Sequence, residues 1–203
     1  MSSETRPSAP VYESWVREQA GGQAEDLEEI TGTMLDRARP PSKAIFLFGP
    51  TRSGKSTYLR LMAAVAGPQN YSAVTLAEMG TNRFAAAALH GKLLNSAADL
   101  SSHDVDDLAT FKQMTGGDPV FADHKFGQPF QFINHGLFAF SANQVPSVGE
   151  TSNAYLERMK PFSFGSSFAG REDPTVEESV RRHHSRLGRA DVQDSPRSSR
   201  SPC

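Results

Sequence analysis

From residue 43 onward the chain alternates short, unbroken apolar runs with amphipathic or alanine-rich stretches. AIFLF (44–48) has no polar interruption and is of strand length, the pattern of a strand covered on both faces. YLRLMAAVAG follows as an apolar helix ended by Gly67-Pro68. YSAVT (71–75) reads as a short strand, LAEMGTNRFAAAALHG as helical pieces, and KLLNSAADLS as a strand (92–97) with a polar end. DVDDLATFKQMTGG is an amphipathic helix stopped by Gly116-Gly117, and VFADHKFGQPFQF is two short strands about a turn. GLFAFSAN (136–143) is another buried strand, SNAYLERM a short helix and PFSF (161–164) a last strand. Strands alternating with helices predict a three-layer α/β domain over 43–168 with a mostly parallel central sheet.

The flanks have another texture. Residues 1–10 are Ser/Pro-rich and predicted to be disordered. Residues 11–42 form an N-terminal helical segment and linker. Tyr12, Trp15 and Val16 fall at helical spacing before Gly21-Gly22, and Leu27, Ile30 and Leu35 mark a second helix or pair of turns before RPPS (39–42). Residues 169–203 are charged, lack apolar periodicity and read as a largely disordered tail, although a helix could begin after Pro174.

Composition sharpens this picture. The 203 residues have a mean hydropathy of −0.47 and 37% hydrophobic content, low for a chain packed end to end. No apolar run approaches the ~18 residues of a membrane span, and the N-terminus has no secretory pattern. Cys203 is the single cysteine, which excludes an internal disulfide and a cysteine zinc site. These features lead to the expectation of a soluble, cytoplasmic protein. The net charge of −2 divides unevenly: residues 1–36 carry eight acids and two arginines, and residues 179–203 six arginines and two aspartates. Two solvated tails around a neutral domain account for that split.

GPTRSGKS (49–56) fits G-x-x-x-x-G-K-[ST] at every position, between a buried strand and a helix, which is the context a phosphate-binding loop requires. Gly49 and Gly54 allow a tight turn with N–H groups facing inward, and the following helix start adds its positive end. Gly49, Pro50, Thr51, Arg52, Ser53, Gly54, Lys55, Ser56 and Thr57 form the expected nucleotide-binding stretch. Lys55 reaches the terminal phosphates and Ser56 offers a hydroxyl to Mg²⁺. The loop alone specifies a nucleotide, not a reaction: kinases, GTPases, transport ATPases and helicases share it.

The order of motifs resembles the superfamily-three helicase domain of phage and plasmid primase-helicases, an AAA+ type P-loop ATPase. FLFGPTRSGKSTYLRLM looks like its Walker A segment, KLLNSAADLS its Walker B segment and FKQMTGGDPVFADHKFGQPFQF its hairpin motif. FAFSANQVP looks like its sensor strand and AYLERMKPFSF its arginine segment. The resemblance spans roughly 12–175 and implies an ATP-hydrolysing DNA helicase of mobile-element replication that uses ATP and Mg²⁺. By the same resemblance Asp99 is the Walker B acid that holds Mg²⁺ or polarises water, and Ala98 stands where relatives carry a second acid. Asn143 matches the sensor asparagine. Arg158 matches the arginine inserted into a neighbour's site; a plain solvated helix arginine is the competing reading, and Glu157 stands where a second basic residue is frequent. His124, Lys125 and Phe126 occupy the hairpin tip, where a cation beside an aromatic suits single-stranded DNA; a plain surface hairpin is the alternative. Asp123 and Gln128 make that tip less positive than in relatives.

The resemblance further implies a homo-oligomer, a hexameric ring, with primase or other replication partners. The short chain and its charge-scattered ending suggest a truncated or frame-altered terminus. Two other readings stand beside the helicase: a nucleotide-binding remnant that no longer hydrolyses, and another P-loop enzyme such as a small-molecule kinase.

Overall fold

The apolar run 44–48 forms β1 (Ala44–Phe48), whose first four residues are almost entirely screened from solvent. It is a central strand of a computed structural model that describes residues 10–38, 42–98, 109–144 and 157–167, together with Thr175 and Glu178. Before β1 come α1 (Pro10–Ala20) and α2 (Ala24–Gly32), joined by a 3-10 turn at Gly21–Gln23. After it the order is α3 (Lys55–Ala66), β2 (Tyr71–Ser72), α4 (Leu76–Thr81), α5 (Ala85–Leu89), β3 (Leu94–Ala97) and α6 (Ala109–Gly116). A hairpin of β4 (Val120–Ala122) and β5 (Phe130–Phe132) leads into β6 (Leu137–Ala142), and β7 (Met159–Ser163) closes the series.

Among the described residues, five strands form one sheet in the order β2-β3-β6-β1-β7, and every pairing in it is parallel. The period of two along each strand divides the core into two faces. Ile45, Leu47, Leu137, Ala139 and Phe162 point to the layer built by α1, α2 and α3. Ala44, Phe46, Phe138, Phe140 and Met159 point to the layer built by α4, α5, α6 and the hairpin. This is the three-layer α/β arrangement that the alternating pattern predicts. The N-terminal helices share the first core: Trp15, Val16, Leu27 and Met34 pack in one cluster with Tyr58, Leu59 and Met62 of α3.

Several elements depart from the sequence reading for visible reasons. The strand expected over 71–75 stops at Ser72 because the buried Asn95 amide replaces a neighbouring strand: its Oδ1 accepts from Val74 N–H at 2.8 Å and its Nδ2 donates to the Val74 carbonyl at 2.9 Å. The strand read over 92–97 begins at Leu94. The helix read at SNAYLERM falls mostly on 152–156, outside the described residues; its last residue, Met159, pairs with Ala44 and opens β7, which also draws the strand expected at 161–164 forward. Gly21-Gly22 bend the chain without ending its helical course. The outer edge of β7 is occupied by Gln23, whose Nε2 donates to the Pro161 carbonyl and whose Oε1 accepts from Ser163 N–H, both at 3.4 Å. The segments read as disordered, 1–10 and 169–203, lie almost wholly outside the described residues.

Candidate functional site

The loop 49–54 leaves β1 at the carboxyl edge of the sheet and enters α3 at Lys55. Two of its positions require glycine. Gly49 has φ +151°, and a Cβ there would collide with the Phe164 carbonyl; Gly54 has φ +84°, and a Cβ there would stand 2.9 Å from Trp15 Cζ2. Arg52 also adopts a positive φ of +61°. The Lys55 side chain is 7% exposed and folds back into the loop. Its ammonium donates to the carbonyls of Gly49 and Pro50, each at 2.8 Å, and to Ser53 Oγ at 3.2 Å. A cation held by the loop's own oxygens sits at the mouth of a helix whose first turn carries no acidic residue, so lysine charge and helix dipole add. Ser53 is buried, whereas Pro50, Thr51, Arg52 and Ser56 are exposed. Thr57 Oγ1 accepts from Arg60 Nη2 at 3.1 Å.

Strand order decides what faces this loop. β6 lies between β1 and β3, and Ala142, its last residue, is in register with Phe48. Asn143, the next residue, is exposed and therefore emerges level with Gly49 on the neighbouring strand. Ala98 is exposed directly after β3, on the same edge; Asp99 lies outside the described residues. A groove of about 560 Å³ runs along α3 beside this edge, lined by Ser56, Arg60, Tyr71, Ser96 and Ala98 among others. The structure thus brings Lys55, Ser56, Asn143 and Ala98 to one edge of the sheet.

Arg158 is at the opposite edge. It directly precedes β7, which runs parallel to β1, and its carbonyl accepts from Ala44 N–H at 2.8 Å at the very start of β1. The five residues of β1, at about 3.3 Å per residue, put roughly 16 Å of strand between it and the loop.

The hairpin packs Val120, Ala122 and Phe132 inward and turns Phe121 out, 73% exposed. At its tip Phe126 has φ +66° and is 98% exposed, with Lys125 Nζ 5.4 Å from its ring centroid. His124 is held differently, stacked on Phe130 at 4.9 Å. Three residues absent from the sequence reading join this surface. Arg83 pairs with Asp123, Nη2 to Oδ2 at 2.7 Å, and so neutralises the acid that lowers the tip's charge. Its guanidinium carbon lies 5.2 Å over the ring of Phe84, which is 37% exposed. Phe121 and Arg83 also line a groove of about 480 Å³ between α4 and the hairpin. The signal in the sequence was an Arg-Phe pair between two helical pieces, which alanine-rich periodicity masks.

Among the described residues, no helix is long and apolar enough to cross a membrane, and no group of three or more His, Cys, Asp or Glu side chains is placed to hold a metal ion. Burial and the nearby Glu28 carboxylate push the Tyr12 phenol up to about 12, and burial raises Tyr58 well above its ordinary value.

No curated protein matches the chain. Among solved structures, the A form apo structure of the NrS-1 C-terminal region is similar with a TM-score of 0.68 at 12% identity, over 89% of this chain and 44% of that one. A second apo structure of that region gives 0.64 at 11% identity, over 86% of this chain and 43% of that one. JCV helicase, solved with a thiazolopyridine-bearing phenoxyphenyl acetamide, gives 0.55 at 16% identity, over 96% and 64%. The chain therefore spans less than half the length of the NrS-1 chains it matches. These likenesses are of fold, and the fold is helicase-like. Residues 47–158, which run from β1 through the loop 49–54 and the hairpin to Arg158, match DUF5906, a family of unknown function, and the chain belongs to that family.

Proposed function

We propose that this chain is the ATP-binding, ATP-hydrolysing motor domain of a DNA helicase of the phage and plasmid primase type, acting on single-stranded DNA in the cytoplasm. The observation that carries the reading is the enclosure of the Lys55 ammonium by Gly49, Pro50 and Ser53 at the acid-free start of α3. These groups fit a nucleoside triphosphate. Incoming phosphate oxygens take over the lysine's hydrogen bonds, and loop and helix N–H groups meet the remaining charge. The exposed Ser56 hydroxyl and the Asp99 carboxylate would hold the accompanying Mg²⁺, and Asn143 would orient the attacking water. Lys125 and Phe126 contact the strand, by charge and by stacking, with His124 beside them. Arg158 cannot reach its own loop across the length of β1, which favours action on a neighbour's nucleotide in a ring, by resemblance a hexamer working with primase or other replication partners.

Ala98 favours a second reading, a nucleotide binder that has lost hydrolysis. ATP turnover with and without single-stranded DNA, beside a Lys55→Ala control, separates the two. DNA-stimulated turnover that the control lacks supports the motor. ATP binding without turnover supports the second reading, and an acid restored at position 98 then raises the rate. Failure to bind ATP overturns both.

A further inference from the structure

The phosphate loop is held from outside by two segments that no nucleotide-binding motif includes. One is α1. The Trp15 indole lies on Gly54, and the Gln19 side chain, 3% exposed, is wedged between two carbonyls. In the amide orientation those carbonyls demand, Gln19 donates to Ser53 O at 2.8 Å and to Ser166 O at 3.3 Å. The other is the stretch after β7, residues 164–167. The Phe164 carbonyl sits where a Gly49 side chain would be, and Ser167 Oγ donates to Thr51 O at 3.3 Å.

The peptide unit translates these contacts into loop geometry. Its C=O and N–H point in opposite directions across a trans bond. Holding Ser53 O toward α1 therefore turns Gly54 N–H away from α1, and holding Thr51 O toward Ser167 turns Arg52 N–H away from that side. Arg52 and Gly54 are also the two left-handed positions between 50 and 54, and such conformations persist where the surroundings over-determine them. Behind the clasp α1 is firmly seated: Trp15 stacks on Tyr58 of α3 at 6.4 Å, and Tyr58 shares a 2.8 Å hydrogen bond with Thr31 of α2.

We propose that Gln19 and Trp15 are positioning residues of the nucleotide site. Gln19 holds the Ser53–Gly54 peptide with its N–H presented to phosphate, and Trp15, resting on Gly54, registers the loop's occupancy. This rests on the nucleotide-binding reading given above.

The full chain, titrated with ATP and followed both by calorimetry and by emission of Trp15, the single tryptophan, tests it. Gln19→Leu is expected to weaken ATP binding about tenfold or more. Thr31→Val, which removes the bond to Tyr58 behind the clasp, is expected to leave ATP affinity unchanged while lowering the melting temperature. Wild-type Trp15 emission is expected to change on saturation with ATP, and not to change in Lys55→Ala. Equal affinity of Gln19→Leu and wild type overturns the role of Gln19, as does an equal loss in Thr31→Val. If Gln19→Leu does not fold, the emission decides: an unchanged wild-type signal at saturation overturns the clasp. Absence of ATP binding by wild type removes the nucleotide reading itself, a result distinct from binding that ignores position 19.

Discussion

Trp15 and Gly54 lie 39 positions apart in sequence, yet Cζ2 of the indole stands 2.9 Å from the point where a Gly54 side chain would begin. Gly54 also holds φ +84°, a conformation that costs an L-residue on the order of 1–3 kcal/mol. Gly54→Ala therefore meets both strain and a clash and is expected to lose at least ~1–3 kcal/mol of stability. Urea unfolding measures the loss; a midpoint equal to wild type contradicts the packing of α1 on the loop.

Lys55→Ala removes a donor from the carbonyls of Gly49 and Pro50, which lie at a loop that water reaches. Stability should change little. If the chain hydrolyses ATP as proposed, turnover should fall on the order of 10²–10³-fold, the usual effect of losing one preorganised donor to developing charge. Steady-state ATP hydrolysis beside thermal melting reads both.

Arg158 and Lys55 occupy opposite edges of one sheet. If the arginine completes a neighbour's site, Arg158→Ala and Lys55→Ala proteins are each inactive alone and regain part of the activity when mixed. Mixing over a range of ratios checks this; no recovery at any ratio counts against action in trans.

On the hairpin, Phe126→Ala and Phe121→Ala should each weaken binding of single-stranded DNA by about 1–3 kcal/mol if bases stack there. Lys125→Ala should instead flatten the dependence of affinity on salt. Arg83→Ala frees the Asp123 carboxylate beside the tip and is expected to weaken binding at low salt most. Fluorescence anisotropy at several salt concentrations separates the effects.

Tyr12 supplies a pH dependence. Its phenol titrates near the ordinary value of 10.0 when unfolded and at about 12 in the fold, chiefly because it is buried. Between pH 10 and pH 12 the unfolded chain releases a proton that the folded chain keeps, so unfolding becomes easier as pH rises. The stability present below pH 10 should decline through that window by on the order of 2 kcal/mol. Tyr58 is displaced in the same direction and adds to the decline. Denaturant midpoints against pH for wild type and Tyr12→Phe check this, with the phenylalanine variant falling less steeply.

Much of the fold was legible because its elements are written in local patterns. The apolar runs at 44–48 and 137–140 became inner strands of a parallel sheet, and Gly67 ended α3 where it was expected to. The exceptions are instructive. The backbone of Val74 has the apolar context of a strand, but the Asn95 side chain, 21 residues away, takes both its hydrogen bonds, and no local pattern reports that capture.

The conformation of the loop 49–54 was legible in sequence alone, because glycine at 49 and 54 and lysine at 55 encode the turn and the charge within eight consecutive residues. What the tertiary structure decided is everything that depends on which strands lie side by side. The placement of β6 between β1 and β3 brings Asn143 level with Gly49, and the parallel course of β7 carries Arg158 to the far edge. The same packing sets Arg83 against Asp123 and lays Trp15 and Gln19 over the loop. Such contacts arise from burying two faces of one sheet at once, a condition on the whole chain that no short window of residues contains.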